Sequence, residues 1–219
     1  MLYKNTIELK KAIKKAHISF GKSTTKVCED IISDLLLQKG EKPSDYVKKA
    51  YEAYKTKCNV NNALNGYVFE MIFVLLCFQL DLVPLFSQAK ITYVPNIDFD
   101  FMLFKEEDMF DAYDSLLYKG VKPVCISLKT SSRERYKQAD LEAMALKNVH
   151  RNAKCYLIGL EDVSGIQKKI KRKDTFGLDY VYNAYTAEFN DFIEDLKKDI
   201  GSYIYPPDVP VCLSKNLIK

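Results

Sequence analysis

The chain has 219 residues, of which 47% are hydrophobic, and this is enough to bury the core of one domain with or without a small appendage. Its 33 basic and 29 acidic residues give a formal net charge of +4, which permits nucleic-acid binding without arguing for it. Two histidines and six cysteines without C-x-x-C spacing argue against a zinc site, a Ser-His-Asp triad and a disulfide scaffold.

The sequence also indicates where the protein works. Its first residues, MLYKNTIELKKAIKKA, are charged and amphipathic, unlike a signal peptide. The most apolar run, residues 67–85, contains Glu70 and Asp81, so we expect no membrane span and no membrane partner. No glycine-rich phosphate loop is present, so no nucleotide cofactor is expected. The cysteines have the pattern of free thiols in a reducing compartment, and we therefore expect a cytoplasmic protein.

The first third of the chain is predicted to be helical. Apolar residues recur at helical spacing over residues 6–20 and 24–39, and a third helix follows Pro43. We expect residues 1–60 to form an N-terminal helical region that provides ordinary packing or, alternatively, dimer or DNA contacts. Residues 61–219 would then form the main domain.

A fourth helix is predicted over residues 67–80 and is apolar nearly all round, which is typical of a buried helix. Glu70 is the exception within it. A carboxylate on a buried helix costs several kcal/mol unless it is paired or binds a metal. The alternatives are a salt bridge, an interaction with the positive end of the helix dipole, or a metal ligand.

Two extended segments follow, over residues 90–94 and 97–104, and the second reads I-D-F-D-F-M-L-F. Asp98 and Asp100 are two residues apart, so both side chains project from one face of that strand. An aspartate inside such an apolar strand is rarely there for packing. A long polar connection over residues 105–120 then leads to the next strand.

The central motif begins at residues 124–129, V-C-I-S-L-K, which have the pattern of a β-strand. Because strand side chains alternate between faces, Ser127 and Lys129 share one face. Metal-dependent phosphodiester hydrolysis commonly uses an acid-x-Lys arrangement on such a strand, and here serine occupies the position of the acid. Glu142, with twelve residues between it and Lys129, lies on the following predicted helix and is placed to supply the missing carboxylate.

A charged cluster, Arg133-Glu134-Arg135, lies between this strand and Glu142. An arginine fork pairs with O6 and N7 of guanine, and a glutamate accepts a hydrogen bond from N4 of cytosine. These contacts are chemically available to the cluster, whereas an isolated cluster of this kind is more often a solvated surface.

The remainder of the chain completes a predicted sheet. A helix ending near residue 150 and a strand over residues 153–160 predict a right-handed crossover to a parallel neighbour of the lysine strand. An edge strand over residues 180–185, a helix over 186–200 and an extended tail follow. The basic run at residues 168–173 is either a solvated face or a binding surface. The sequence thus predicts an α/β fold with a mixed central sheet flanked by helices.

Taken together, Ser127-x-Lys129, the spacing to Glu142 and the Arg-Glu-Arg cluster resemble the CC/GG-reading branch of the type II restriction endonucleases of the PD-(D/E)xK superfamily. The resemblance covers roughly residues 65–160. It implies a restriction-endonuclease-like core that cleaves double-stranded DNA at a short G·C-containing site with Mg²⁺, as a homodimer. In the branch, the cluster corresponding to Arg133, Glu134 and Arg135 reads adjacent G·C pairs.

The resemblance also implies roles for individual residues. Asp98, Glu142 and Glu70 would hold the metal, and Lys129 would orient or activate the attacking water. The family's Pro-Asp dipeptide is absent, because Pro95 stands three residues before Asp98. Asp98 is preferred as the strand ligand, and Asp100 remains the alternative.

Two other functions fit parts of the same pattern. A structure-selective nuclease of the resolvase or repair type would keep the fold, although it would need phosphate contacts rather than a base-reading cluster. A DNA-binding protein with a degenerate site is the third hypothesis, because Ser127 stands where an acid is expected.

Overall fold

The computed structural model describes residues 3–16, 18–82, 85–90, 98–103, 124–131, 135–149, 151–200 and 214–218. These residues include seven helices and six strands. The helices are α1 Thr6–Lys15, α2 Lys22–Asp30, α3 Pro43–Lys57, α4 Asn62–Gln79, α5 Arg135–Val149, α6 Ser164–Lys171 and α7 Ala187–Ile200. The strands are β1 Leu85–Lys90, β2 Asp98–Leu103, β3 Val124–Lys129, β4 Lys154–Gly159, β5 Tyr180–Asn183 and β6 Ser214–Ile218.

The six strands form one mixed sheet in the order β5-β4-β3-β2-β1-β6. Strands β3, β4 and β5 are parallel, whereas β2 pairs with β3, β1 with β2 and β6 with β1 in antiparallel fashion. The β3-α5-β4 connection is the predicted crossover between parallel strands. The predicted fold class, a mixed α/β sheet flanked by helices, is confirmed.

The two faces of β3 meet different helical layers, because strand side chains alternate. Ile126 and Leu128 are buried in the hydrophobic cluster that also contains residues of α4 and α7. Cys125 and Ser127 are buried on the opposite face. That face is covered by α5, whose Lys147 lies near enough to Cys125 to act on its thiol. Ser127 and Lys129 therefore face the layer that carries Glu142.

The N-terminal helices share their core with the rest of the domain. Buried residues of α1, α2 and α3 belong to the same cluster as those of α4, β3 and α7. Gln79, at the end of α4, is fully buried and ties the layers together: its Oε1 accepts from Leu37 N–H at 2.9 Å and its Nε2 donates to Leu35 O at 2.9 Å. The hydrophobic core is thus continuous across residue 60, where the sequence predicts a boundary.

Helix α4 is the apolar helix predicted from the sequence, and from Val68 onward nearly every residue is buried. By length and composition α4 is apolar enough to cross a membrane. The expectation that Glu70 and Asp81 leave no run of this length and apolar character is therefore wrong. A core helix passes the same test, and 61% of α4 is buried within this fold. The burial accounts for its composition.

Several boundaries differ from those predicted. Helix α2 ends at Asp30 rather than at residue 39. The helix does not extend further because the Leu37 N–H and the Leu35 carbonyl form hydrogen bonds with the Gln79 side chain. The first strand is Leu85–Lys90, ahead of the predicted 90–94, and residues 91–94 lie outside the described residues. Helix α6 and strand β6 were not predicted; β6 places part of the C-terminal tail on the edge of the chain's own sheet.

Candidate active site

The candidate active site lies at the end of the β2–β3 pairing, next to the pair formed by Phe101 and Ile126. The β2–β3 register pairs Phe101 with Ile126, which places Asp100 beside Ser127 on the next rung. The Asp100 Oδ2 accepts a hydrogen bond from the Leu128 backbone N–H at 2.6 Å and lies 3.3 Å from the Lys129 ammonium. Both side chains are mostly shielded, Asp100 at 15% exposure and Lys129 at 17%. An aspartate and a lysine from adjacent strands therefore form a partly buried ion pair.

Ser127 lies on the same face as Lys129 and is only 2% exposed. In the parallel pairing with β4, Ser127 stands opposite Leu157 and Lys129 opposite Gly159. The hydroxyl is thus enclosed between an apolar neighbour and the aspartate strand. A carboxylate at this position would be buried beside Asp100, so two negative charges would compete for one lysine. Serine avoids that repulsion, which is consistent with an acid supplied from elsewhere.

Helix α5 carries Glu142 on the flank of its buried stripe. The stripe consists of residues at helical spacing that pack toward the sheet: Tyr136, Ala139, Asp140, Ala143 and Leu146. Glu142 is half-buried beside it and accepts a hydrogen bond from Gln138 Nε2 at 2.8 Å. The helix and its acid therefore lie over the same face of the sheet as Ser127 and Lys129.

A buried carboxylate fixes the position of α5. Asp140 is 6% exposed, and its two oxygens accept hydrogen bonds from the backbone N–H groups of Phe176, Gly177 and Leu178, at 2.8 to 3.1 Å. The segment that contains Gly177, just before β5, approaches α5 so closely that a Cβ at Gly177 would lie 2.1 Å from Met144 N. Only glycine allows this contact. Neither residue was predicted from the sequence. The available signals were that Asp140 is a polar residue within the apolar stripe of α5 and that Gly177 is a single glycine between two apolar residues.

A second anchor lies at the far end of the same helix. The Lys147 ammonium is 2.8 Å from Asp179 Oδ2, which also accepts the Cys155 N–H at 2.7 Å. Cys125 and Cys155 are register partners on β3 and β4, and burial, reinforced by Cys155, raises the pKa of Cys125 well above its ordinary value. These thiols are inert packing groups.

The segment predicted to read bases enters α5 directly. Arg135 is the first residue of the helix and is exposed. Arg133 and Glu134 lie outside the described residues. Because Arg135 is six residues beyond Lys129, the predicted base-reading cluster and the lysine are joined by one short connection, so their separation is restricted by chain length.

Glu70 lies on the other layer. Helix α4 begins at Asn62, five residues earlier than predicted, so Glu70 is more than two turns from the helix start and outside the range of the N-terminal dipole. Its side chain is half-buried and takes part in an interaction within the fold. Because α4 packs against the Ile126 and Leu128 face, Glu70 and Glu142 approach the sheet from opposite sides.

The residue types near the lysine suit a hard cation. Asp100 and Glu142 offer carboxylate oxygens, which Mg²⁺ prefers, and both described hydrogen bonds to Asp100 use Oδ2 rather than Oδ1. Among the side chains that the structure describes, no group of three His, Cys, Asp or Glu residues is already gathered for a metal. The Asp98 side chain is outside that set, so its predicted role as a ligand stays a prediction.

Fold and site together define an α/β protein with an aspartate–lysine pair at the end of its central strands and a helix that carries Glu142 over the same face of the sheet. Among solved structures, the chain is similar to the restriction endonuclease PspGI in its complex with substrate DNA. The similarity has a TM-score of 0.44 with 19% sequence identity, and it covers 93% of this chain and 83% of that one. No protein-family model matches the sequence, and no curated protein matches it.

Proposed function

We propose that this protein is a Mg²⁺-dependent endonuclease that cleaves double-stranded DNA at a short G·C-containing site, as a type II restriction endonuclease does. The observation that carries the proposal is the ion pair between Asp100 and Lys129, which stands beside a buried serine where two strands end. A carboxylate and a lysine at this distance match the needs of phosphodiester hydrolysis, in which charge develops on the phosphate.

In this proposal Asp100 and Glu142 hold the cation, with Asp98 as the alternative strand ligand. Glu70 is given no contact with the cation, because its helix packs on the opposite side of the sheet. When bound, Mg²⁺ would act as a Lewis acid and lower the pKa of water. Lys129 is oriented by Asp100 and donates hydrogen bonds to the attacking water and to a phosphate oxygen. The water oxygen forms a bond to phosphorus and releases a proton to solvent, while the bond from phosphorus to the leaving sugar oxygen breaks and that oxygen takes up a proton from a solvent water.

Recognition is assigned to the segment between β3 and α5. Arg133 and Arg135 would each pair with a guanine and Glu134 with a cytosine, contributing roughly 1 to 3 kcal/mol of discrimination for each bidentate contact. The Asp140 and Gly177 contacts fix α5, and they therefore limit how far Arg135 moves relative to Lys129. A homodimer would match a palindromic site and place one active site on each strand.

The deciding experiment is digestion of several plasmid and phage DNAs with purified protein in Mg²⁺, followed by sequencing of the fragment ends. We expect discrete fragments whose ends share one G·C-containing sequence. Lys129→Ala should abolish cutting, and Lys197→Ala, a lysine on α7 paired with Glu194, should not change it. Cutting confined to branched DNA would indicate a structure-selective nuclease, and binding without cutting by wild type would indicate a degenerate site.

A further inference from the structure

A dense positive surface lies on α6 and the turn that follows it. Five of the six residues 168–173 are basic, and all five are exposed. We name Lys168, Lys171, Arg172 and Lys173 the α6 basic surface. None of these four forms an ion pair with a side chain in the described part of the chain, whereas Lys197 and Lys198 on α7 are each paired with an acid three residues earlier. The α6 charges are therefore available to an external anion.

Lys173 shows that this charge is kept at a conformational cost. Its φ is +62°, and it ends α6 with its N–H bonded to Ile170 O and the Asp174 N–H bonded to Lys169 O. Helices that end in this way usually place glycine at the left-handed position, because a Cβ is disfavoured there. The Lys173 side chain therefore begins from a left-handed turn at the end of the basic helix, and replacing it with glycine would remove the charge without straining the backbone.

The α6 basic surface is attached to the predicted base-reading segment. Lys169, which lies between its members, donates a hydrogen bond from Nζ to Tyr136 Oη at 2.6 Å, and the ammonium lies 4.7 Å from the centre of the tyrosine ring. Tyr136 is buried in the first turn of α5 and directly follows Arg135. The positive surface of α6 is thus held beside the residues proposed to read bases.

From these observations we infer that the α6 basic surface binds backbone phosphates of the DNA that flanks the recognised base pairs. The inference rests on the proposed function and adds to it a second contact region, outside the base-reading segment and the catalytic pair. Ammonium and guanidinium groups at such a surface neutralise phosphates and release condensed counterions, so they fix the protein on the duplex without reading its sequence. The surface would therefore contribute affinity and little specificity.

The salt dependence of binding tests this inference. A fluorescent duplex containing the cleaved site is titrated by anisotropy in Ca²⁺ without Mg²⁺, over roughly 50 to 300 mM KCl. The slope of log K against log salt concentration is negative, and removing one cation that neutralises a phosphate should reduce its magnitude by about 0.9. Lys168→Ala/Lys171→Ala/Arg172→Ala should therefore reduce the magnitude by roughly 2 to 3. The matched control, Lys197→Ala/Lys198→Ala on the opposite helical layer, should leave the slope unchanged.

A single variant separates binding from folding. Lys173→Gly relieves the left-handed backbone and removes one charge, so its melting temperature should equal or exceed that of wild type while its salt slope falls by about one. Wild-type binding with no slope change in either α6 variant would overturn the inference and leave the proposed function standing. Absence of DNA binding by wild type at every salt concentration would overturn both.

Discussion

The carboxylate of Asp100 lies 3.3 Å from the ammonium of Lys129 and also accepts the N–H of Leu128, so one acid fixes both the lysine and the end of its strand. Asp100→Asn keeps an acceptor for Leu128 and removes the charge. We expect it to lower the cleavage rate about 100-fold or more with little change in melting temperature. Asp98→Asn is the control; a larger loss there than in Asp100→Asn would transfer the role to Asp98.

Glu142→Gln tests the carboxylate supplied by a helix. The substitution is isosteric and leaves a side-chain amide facing Gln138, so α5 should fold as before. If Glu142 holds Mg²⁺, cleavage should fall at least about 100-fold, while binding of the duplex in Ca²⁺ weakens far less. Gln138→Ala removes one hydrogen bond to Glu142 and leaves its carboxylate in place, so the cleavage rate should fall less than about 10-fold. Wild-type cleavage by Glu142→Gln would remove this residue from the site.

Gly177→Ala should destabilise the protein through backbone overlap. Its Cβ would lie 2.1 Å from Met144 N and 2.5 Å from Asp140 O, neither of which is able to move without displacing α5. We expect a loss of about 3 kcal/mol in the free energy of unfolding, measured by urea denaturation. At Gly165, within α6, the added Cβ meets nothing within 4 Å. Gly165→Ala should be neutral or stabilise by up to ~1 kcal/mol. Equal effects would contradict the close approach.

Gln79→Leu tests the hydrogen bonds that join the segment after α2 to the end of α4. Gln79 accepts from Leu37 N–H and donates to Leu35 O and Leu75 O within a fully buried site. Leucine would leave the buried Leu37 N–H without its acceptor, whereas Leu35 O still accepts from Tyr46 Oη, and we expect a loss of roughly 1 to 3 kcal/mol by thermal or chemical unfolding. The exposed Gln138 provides the control, since Gln138→Leu should change stability by less than about 0.5 kcal/mol. A neutral Gln79→Leu would show that these hydrogen bonds add no net stability.

Stability should fall in alkaline solution. Burial raises the pKa of Cys28 to about 11 and that of Tyr185 to about 12, and the hydrogen bond to Glu188 raises the pKa of Tyr180 to about 12. In the unfolded chain these groups ionise near 9.0 for cysteine and 10.0 for tyrosine. The folded state therefore binds more protons above pH 9. Its stability is fully present below that pH and is lost as the pH rises toward 11 to 12.

Urea denaturation at about pH 8 and about pH 10.5 measures this slope. Tyr180→Phe removes one of the shifted groups and should make the decline shallower. A free energy of unfolding that is constant across this range would contradict the raised pKa values.

The sequence predicted most of what local chemistry controls. Alternation over residues 124–129 placed Ser127 and Lys129 on one face, apolar spacing identified α4, and the strand–helix–strand order predicted that β4 is the parallel neighbour of β3. The choice between Asp98 and Asp100 was not open to the same reasoning, since residues two apart share a face. The contact between Asp100 and Lys129 depends on how β2 pairs with β3, a long-range property that places Asp100 beside Ser127 and lets its carboxylate reach the Lys129 ammonium.

Other features escaped prediction for the same reason. Helix α6 is only eight residues long and strongly basic, so its two isoleucines, Ile166 and Ile170, are too few to distinguish a helix from a solvated charged run. Strand β6 exists because β1 offers it an edge. The Asp140 carboxylate is aligned with backbone groups almost forty residues later, and no local pattern indicates such a contact.

The continuity of the core across residue 60 limits how the protein can be divided. Helix α4 has apolar side chains on every side, and α2 and α3 cover those that the sheet leaves open. A fragment that starts at residue 61 would expose that uncovered surface to water and should accumulate as insoluble aggregate rather than as an independent catalytic unit. The first sixty residues thus act as an integral solubilising cover, not as a detachable accessory.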